Sequence, residues 1–159
     1  LQQGLQHRRI LIVAEPGYGK STLLRYLTLT YASRLRQEMR PLLPVLLRYR
    51  DIYSLLQSPS QPNTEAKIFP PLAAVIALWF QRLPELATLE LSEAWFKMRL
   101  DQGHCLILLD GLDEVPKDLR REVSEWTDRQ MRAHQNCQFI VTSRPHALEF
   151  DPDNRYTTS

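Results

Sequence analysis

Lys20, Ser21 and Thr22 follow two glycines, Gly17 and Gly19, in the stretch Ala14-Glu15-Pro16-Gly17-Tyr18-Gly19-Lys20-Ser21-Thr22. These residue types at this spacing suit the binding of a polyphosphate. Glycine lets the backbone take conformations that other residues resist. Successive N–H groups then point inward and hold phosphate oxygens, aided by the positive end of a following helix. A lysine in this position reaches the β- and γ-phosphates, the Ser21 hydroxyl suits Mg²⁺, and Thr22 adds a contact near the α-phosphate. Far along the chain, Asp110 closes the apolar run Cys105-Leu106-Ile107-Leu108-Leu109, and Asp113 and Glu114 follow it closely. An acid at the carboxyl end of a buried strand is the expected second partner of a phosphate-bound Mg²⁺.

Those residues need elements to place them. Ile10-Leu11-Ile12-Val13 is short, apolar and half β-branched, and predicts a buried strand over about Ile10–Ala14. Leu24, Leu27, Tyr31 and Leu35 recur at three- and four-residue steps, which predicts a helix from Lys20 to about Glu38 with Arg25, Arg34 and Arg36 on its solvated side. Strand, glycine turn and Lys-Ser at a helix start make a P-loop, with Ala14 standing where that motif has its first glycine.

Pro41 and Pro44 break the pattern, and Val45-Leu46-Leu47-Arg48-Tyr49 predicts a second strand. Residues Gln57 to Glu65, rich in Ser, Pro, Gln and Asn, predict a surface loop. Pro70 and Pro71 suit the start of a helix bearing Leu72, Val75, Ile76, Trp79 and Leu83 on one face, stopped by Pro84. A further helix runs from about Ser92, an N-cap residue, to Gly103. Cys105–Asp110 predicts a strand covered on both faces. Pro116 opens a helix with Leu119, Val123 and Trp126 inward and Asp118, Arg121, Glu122 and Glu125 outward. Phe139-Ile140-Val141-Thr142-Ser143 predicts the next strand, Asp151–Asn154 a turn, and Arg155–Ser159 the start of one more strand. Apolar strands alternating with helices imply a doubly wound, mostly parallel sheet.

The 159 residues suffice for one domain with a core. An apolar share of 43% with 24% charged residues is ordinary globular composition and argues against wholesale disorder. A net charge of +2 is too small to imply a nucleic-acid partner. Cys105 and Cys137 lack C-x-x-C spacing and read as small buried side chains, which fits a reducing, cytoplasmic setting. The histidines (His7, His104, His134, His146) show no zinc-site spacing. No apolar run reaches transmembrane length. The chain starts with Leu1, so it reads as excised from something longer.

A small residue directly after the strand-end acid, with further acids three and four positions beyond it, resembles the NACHT family of STAND NTPases, in the form Asp110-Gly111-Leu112-Asp113-Glu114. Thr142-Ser143-Arg144-Pro145 is similar to that family's sensor 1, and Glu15-Pro16-Gly17-x-Gly19-Lys20-Ser21 to its P-loop. The resemblance covers about Arg9 to Pro145. It implies a three-layer αβα P-loop NTPase fold of the ASCE type, with the sensor strand between the P-loop strand and the Walker B strand (Leu106–Asp110). It implies that residues 1–159 are a nucleotide-binding domain, truncated before helical and winged-helix subdomains. It also implies ATP (or ADP) and Mg²⁺ as ligands, with Glu15 through Thr22 binding nucleotide and Ser21 and Asp110 holding the metal. Glu114 or Asp113 would orient the attacking water, and Arg144 would read the γ-phosphate.

The function so implied is a slow regulatory ATPase of the cytoplasm whose nucleotide state controls oligomerisation and signalling of a larger protein. The alternative is a loader or helicase-type ATPase acting on nucleic acid, which wants a basic groove or stacking aromatics. The arginines here are scattered among acids, and Gly111 occupies the place of the usual motor glutamate. A small-molecule kinase, with a loop in the stretch Arg50 to Glu65 as lid, leaves Asp113-Glu114 and Thr142-Ser143-Arg144 unexplained. A degenerate binder without hydrolysis sits poorly with the retained Lys20, Asp110 and paired acids. The sequence carries no Asn-Lys-x-Asp guanine-reading motif, and ATP is favoured by resemblance.

Overall fold

Four apolar segments form one sheet among the described residues, and every pairing is parallel. The computed structural model describes residues 8–37, 39, 41–56, 69–86, 89 and 91–145. The strands are β1 (Arg9–Val13), β2 (Leu43–Arg48), β3 (Cys105–Asp110) and β4 (Gln138–Ser143), in the spatial order β1-β4-β3-β2. β4, the last of the described strands in sequence, therefore lies between the P-loop strand and the strand ending in Asp110, as the family resemblance implies. The register aligns Val13 with Ser143, Leu109 with Val141 and Arg48 with Asp110, so the carboxyl ends of all four strands share one edge.

β3 shows why the sheet is sandwiched. All six of its residues are buried. Leu106 and Leu108 pack on one side with Ile140, Ile10, Ile12 and Leu46, under Leu24, Leu27 and Tyr31 of α1 (Lys20–Arg34). Cys105, Ile107 and Leu109 pack on the other side with Val45, Leu47, Phe139 and Val141. That second layer comes from α2 (Tyr49–Leu56), α3 (Leu72–Gln81), α4 (Glu93–Asp101) and α5 (Lys117–Ala133), through Ile52, Val75, Phe96 and Trp126. Apolar residues on both faces are what a parallel sheet between two helical layers requires.

Several boundaries differ from expectation, each for a local reason. α1 stops at Arg34 and not near Glu38, because three-residue bonds (Leu35 N to Ala32 O, 3.3 Å; Gln37 N to Arg34 O, 2.9 Å) tighten its last turn. β2 begins two residues earlier than expected, at Leu43, and includes Pro44; among the described strands it lies at the sheet edge, where a missing N–H is tolerated. Tyr49 opens α2 and does not end the strand, and the stretch from Arg50 starts as a helix and not as a loop. Tyr49, Ile52, Leu55 and Leu56 are its buried face. The expected loop at Gln57–Glu65, the turn at Asp151–Asn154 and the strand at Arg155–Ser159 lie outside the described residues. On α5, Glu122 is only half exposed, against the expectation that it points outward.

Polar bonds tie the second helical layer together. The Tyr49 and Thr127 hydroxyls are 2.8 Å apart inside the core, and Trp126 Nε1 donates to Pro70 O at 2.8 Å. The Ser92 hydroxyl accepts from Trp95 N at 3.2 Å, the N-cap expected of it. Gly103 ends α4 at φ 71, and a Cβ there would lie 2.6 Å from Asn136 Cβ, so the turn before β4 packs directly on its backbone. Cys105 and Cys137 are free and buried. No helix among the described residues is long and apolar enough to cross a membrane.

Candidate nucleotide site

The turn between β1 and α1 ends at Gly19, which is the N-cap of α1 at φ 75 and offers no side chain to bond the first-turn amides. Those amides are left for an outside acceptor. Gly17 also has a positive φ, 87, and a Cβ built on either glycine meets nothing within 4 Å. Both glycines are therefore needed for backbone conformation and not for lack of room. The Lys20 ammonium folds back over the loop, bonding the Ala14 carbonyl and the Glu15 carbonyl, the latter at 3.1 Å.

β3 delivers the acids. Asp110 is buried, and its Oδ1 accepts from the Thr142 hydroxyl of neighbouring β4 at 2.6 Å. The same hydroxyl accepts from Gly111 N at 2.9 Å, so one side chain fixes both the carboxylate and the turn that follows it. Gly111 sits at φ 78 and starts a 3-10 turn over Leu112–Glu114. A Cβ on Gly111 would come 3.1 Å from Glu114 Cδ. The glycine after the strand-end acid thus has two physical reasons: a left-handed backbone and space for the Glu114 side chain folded against it.

The two acids of the turn differ. The Asp113 side chain is 7% exposed and pairs with Arg144 Nε at 2.8 Å. Glu114 is 41% exposed, with Arg50 Nε 3.6 Å from its Oε2. Arg144 directly follows β4, and Arg50 lies at the start of α2, so the strands flanking β3 each place an arginine near this turn.

Pro16, Gly17, Gly19, Lys20, Ser21, Thr22, Asp110, Gly111, Asp113, Glu114 and Arg144 line one open cleft of ≈ 570 Å³ at the carboxyl edge of the sheet. This is where α/β sheets bind ligands, at the point where strand order reverses around β1 and β4. The residues singled out from sequence meet here with two exceptions. Glu15 takes part through its carbonyl on Lys20 and not through its side chain, and Tyr18 is 77% exposed and outside the lining. Thr142 bridges Asp110 and Gly111, Arg50 faces Glu114, and Arg120 donates to the Asp113 and Val115 carbonyls; the sequence assigns none of the three a role. A signal did exist for Arg120: with Val123 and Thr127 it falls on the buried stripe of α5.

The donor set fits Mg²⁺ with a polyphosphate. Ser21 and Asp110 offer a hydroxyl and a carboxylate in one cleft, a hard-oxygen set that leaves other coordination positions to phosphate and water. The family model of the NACHT domain matches residues 8–154. No curated protein matches the chain significantly.

Proposed function

The chain belongs to the NACHT family of P-loop NTPases, and from that premise we propose that it is an ATP-binding, slowly hydrolysing switch whose nucleotide state controls self-association of the protein that carries it. The observation that supports this most is the cleft itself, where Lys20, Ser21, Asp110, Glu114 and Arg144 line one space although they come from three separate strand ends. The reading also takes residues 1–159 as one nucleotide-binding domain of a larger protein, acting in the cytoplasm.

In this reading the P-loop amides and Lys20 hold the phosphates, and Ser21 and Asp110 hold Mg²⁺. The cation, when bound, neutralises phosphate charge. Thr142 donates to Asp110 and keeps its carboxylate oriented. Glu114 is the better candidate for orienting the attacking water, because it is exposed to the cleft while Asp113 is buried against Arg144. Arg144 is held by Asp113 at the cleft wall, and a γ-phosphate would compete for it as a second anion. Such an exchange loosens the turn from the end of β4, and it is a local charge event of the kind that biases a two-state element.

The switch is tested by the mass of the full-length protein in solution. With ATP and Mg²⁺ held against turnover, light scattering should show a different assembly state from the ADP form. Equal masses in the two states across the accessible concentration range contradict the switch and leave nucleotide binding untouched.

A further inference from the structure

Arg120 stands in the first turn of α5 and is 7% exposed, and among the described residues its Nε is buried without a hydrogen-bond partner. Its Nη2 donates to the Asp113 carbonyl at 2.9 Å and to the Val115 carbonyl at 3.1 Å. Those two carbonyls flank Glu114. A cation in the first turn of a helix is opposed by the helix dipole, and burying a guanidinium that cannot lose its proton is costly unless its donors are used. Helix stability and core packing thus both argue against an arginine here, whereas the geometry of the acidic turn uses it.

Thr142 anchors the turn at Gly111, its start, and Arg120 anchors its second half, at Asp113 and Val115. Its own backbone bonds are Glu114 N to Gly111 O at 2.9 Å and Val115 N to Leu112 O at 3.3 Å, the second long. Glu114 is 41% exposed and reached from one side by Arg50 at 3.6 Å, so its placement depends on the main chain beneath it.

We propose that Arg120 is a positioning residue for hydrolysis: by holding the carbonyls on both sides of Glu114 it fixes where that carboxylate meets the attacking water. It is not among the residues that line the cleft. The inference rests on the reading of Glu114 as the water-orienting acid. It predicts a loss in turnover rather than in binding.

The test uses the full-length protein and the variants Arg120→Gln, Arg120→Lys, Glu114→Gln and Glu114→Gln with Arg120→Gln. Affinity for a non-hydrolysable ATP analogue, kcat and thermal midpoint are measured for each. Arg120→Gln should lower kcat about tenfold while affinity stays within about threefold of the parent. Added to Glu114→Gln it should cause no further loss, because both changes act through one group. Arg120→Lys, which keeps the charge and a donor, should restore part of the rate, and it carries the test if Arg120→Gln does not fold. The assignment is overturned by a kcat close to the parent's, by an affinity that falls as far as kcat, or by a full multiplicative loss in the double variant. A parent that binds the analogue but does not turn over ATP also overturns it and leaves nucleotide binding standing. A parent that does not bind the analogue removes the function proposed above, and this assignment with it.

Discussion

Replacing Lys20 by Ala should lower ATP affinity about 100-fold with little change in thermal midpoint. Hydrogen bonds to charged partners are worth about 1.5–3 kcal/mol each, and Lys20 is placed to make more than one with the terminal phosphates. Some of that gain is offset, because the ammonium must give up its bonds to the Ala14 and Glu15 carbonyls. A net of about 3 kcal/mol corresponds to the stated factor. Stability should hold because the side chain lines the cleft and takes no part in either apolar cluster. Titration calorimetry on the full-length protein measures the first quantity and a melting curve the second. An affinity within a few-fold of the parent would mean that the turn is a solvated loop and not a phosphate cradle.

Glu114→Gln should slow ATP hydrolysis by about 10²–10⁴-fold, the range for loss of a positioned acid–base group, while ATP still binds. The amide keeps the shape of the side chain and its place against Gly111, and it removes the charge. Asp113→Asn should behave differently. That change breaks the 2.8 Å pair with Arg144 and frees a cation toward the cleft, so ATP affinity should hold or rise. Single-turnover rates and binding constants on both variants separate the two acids. If Asp113→Asn loses the rate and Glu114→Gln keeps it, the roles are reversed, and the positioning argument for Arg120 falls with them.

The legible parts of this molecule were those encoded locally. The P-loop turn, the apolar strand ending in Asp110 and the strand ending before Arg144 each announce themselves within about ten residues by hydrophobic run and turn chemistry. Their mutual placement is not local. The order β1-β4-β3-β2 puts β4 between β1 and β3, a placement implied by the family resemblance and not by spacing. α2 is hidden in the sequence because Arg48, Arg50 and Asp51 give its start the polar look of a loop, although Tyr49, Ile52, Leu55 and Leu56 are spaced for one helical face. Arg120 escaped notice because a charged residue within an amphipathic helix is ordinarily assigned to solvent; its buried carbonyl partners exist only after the acidic turn folds onto α5. Gly111 was recognised as small, but its reason, the Glu114 side chain lying over it, requires coordinates.

In the function proposed above, the turn ending at Lys20 and the acid at Asp110 serve one metal-bound triphosphate. ATP affinity measured with Mg²⁺ and again in EDTA, for the parent and for Asp110→Asn, tests it most directly. The account predicts that Mg²⁺ strengthens binding by about tenfold or more in the parent and that the two values converge in Asp110→Asn. A parent indifferent to Mg²⁺, or an Asp110→Asn variant that keeps the full Mg²⁺ effect, would contradict it.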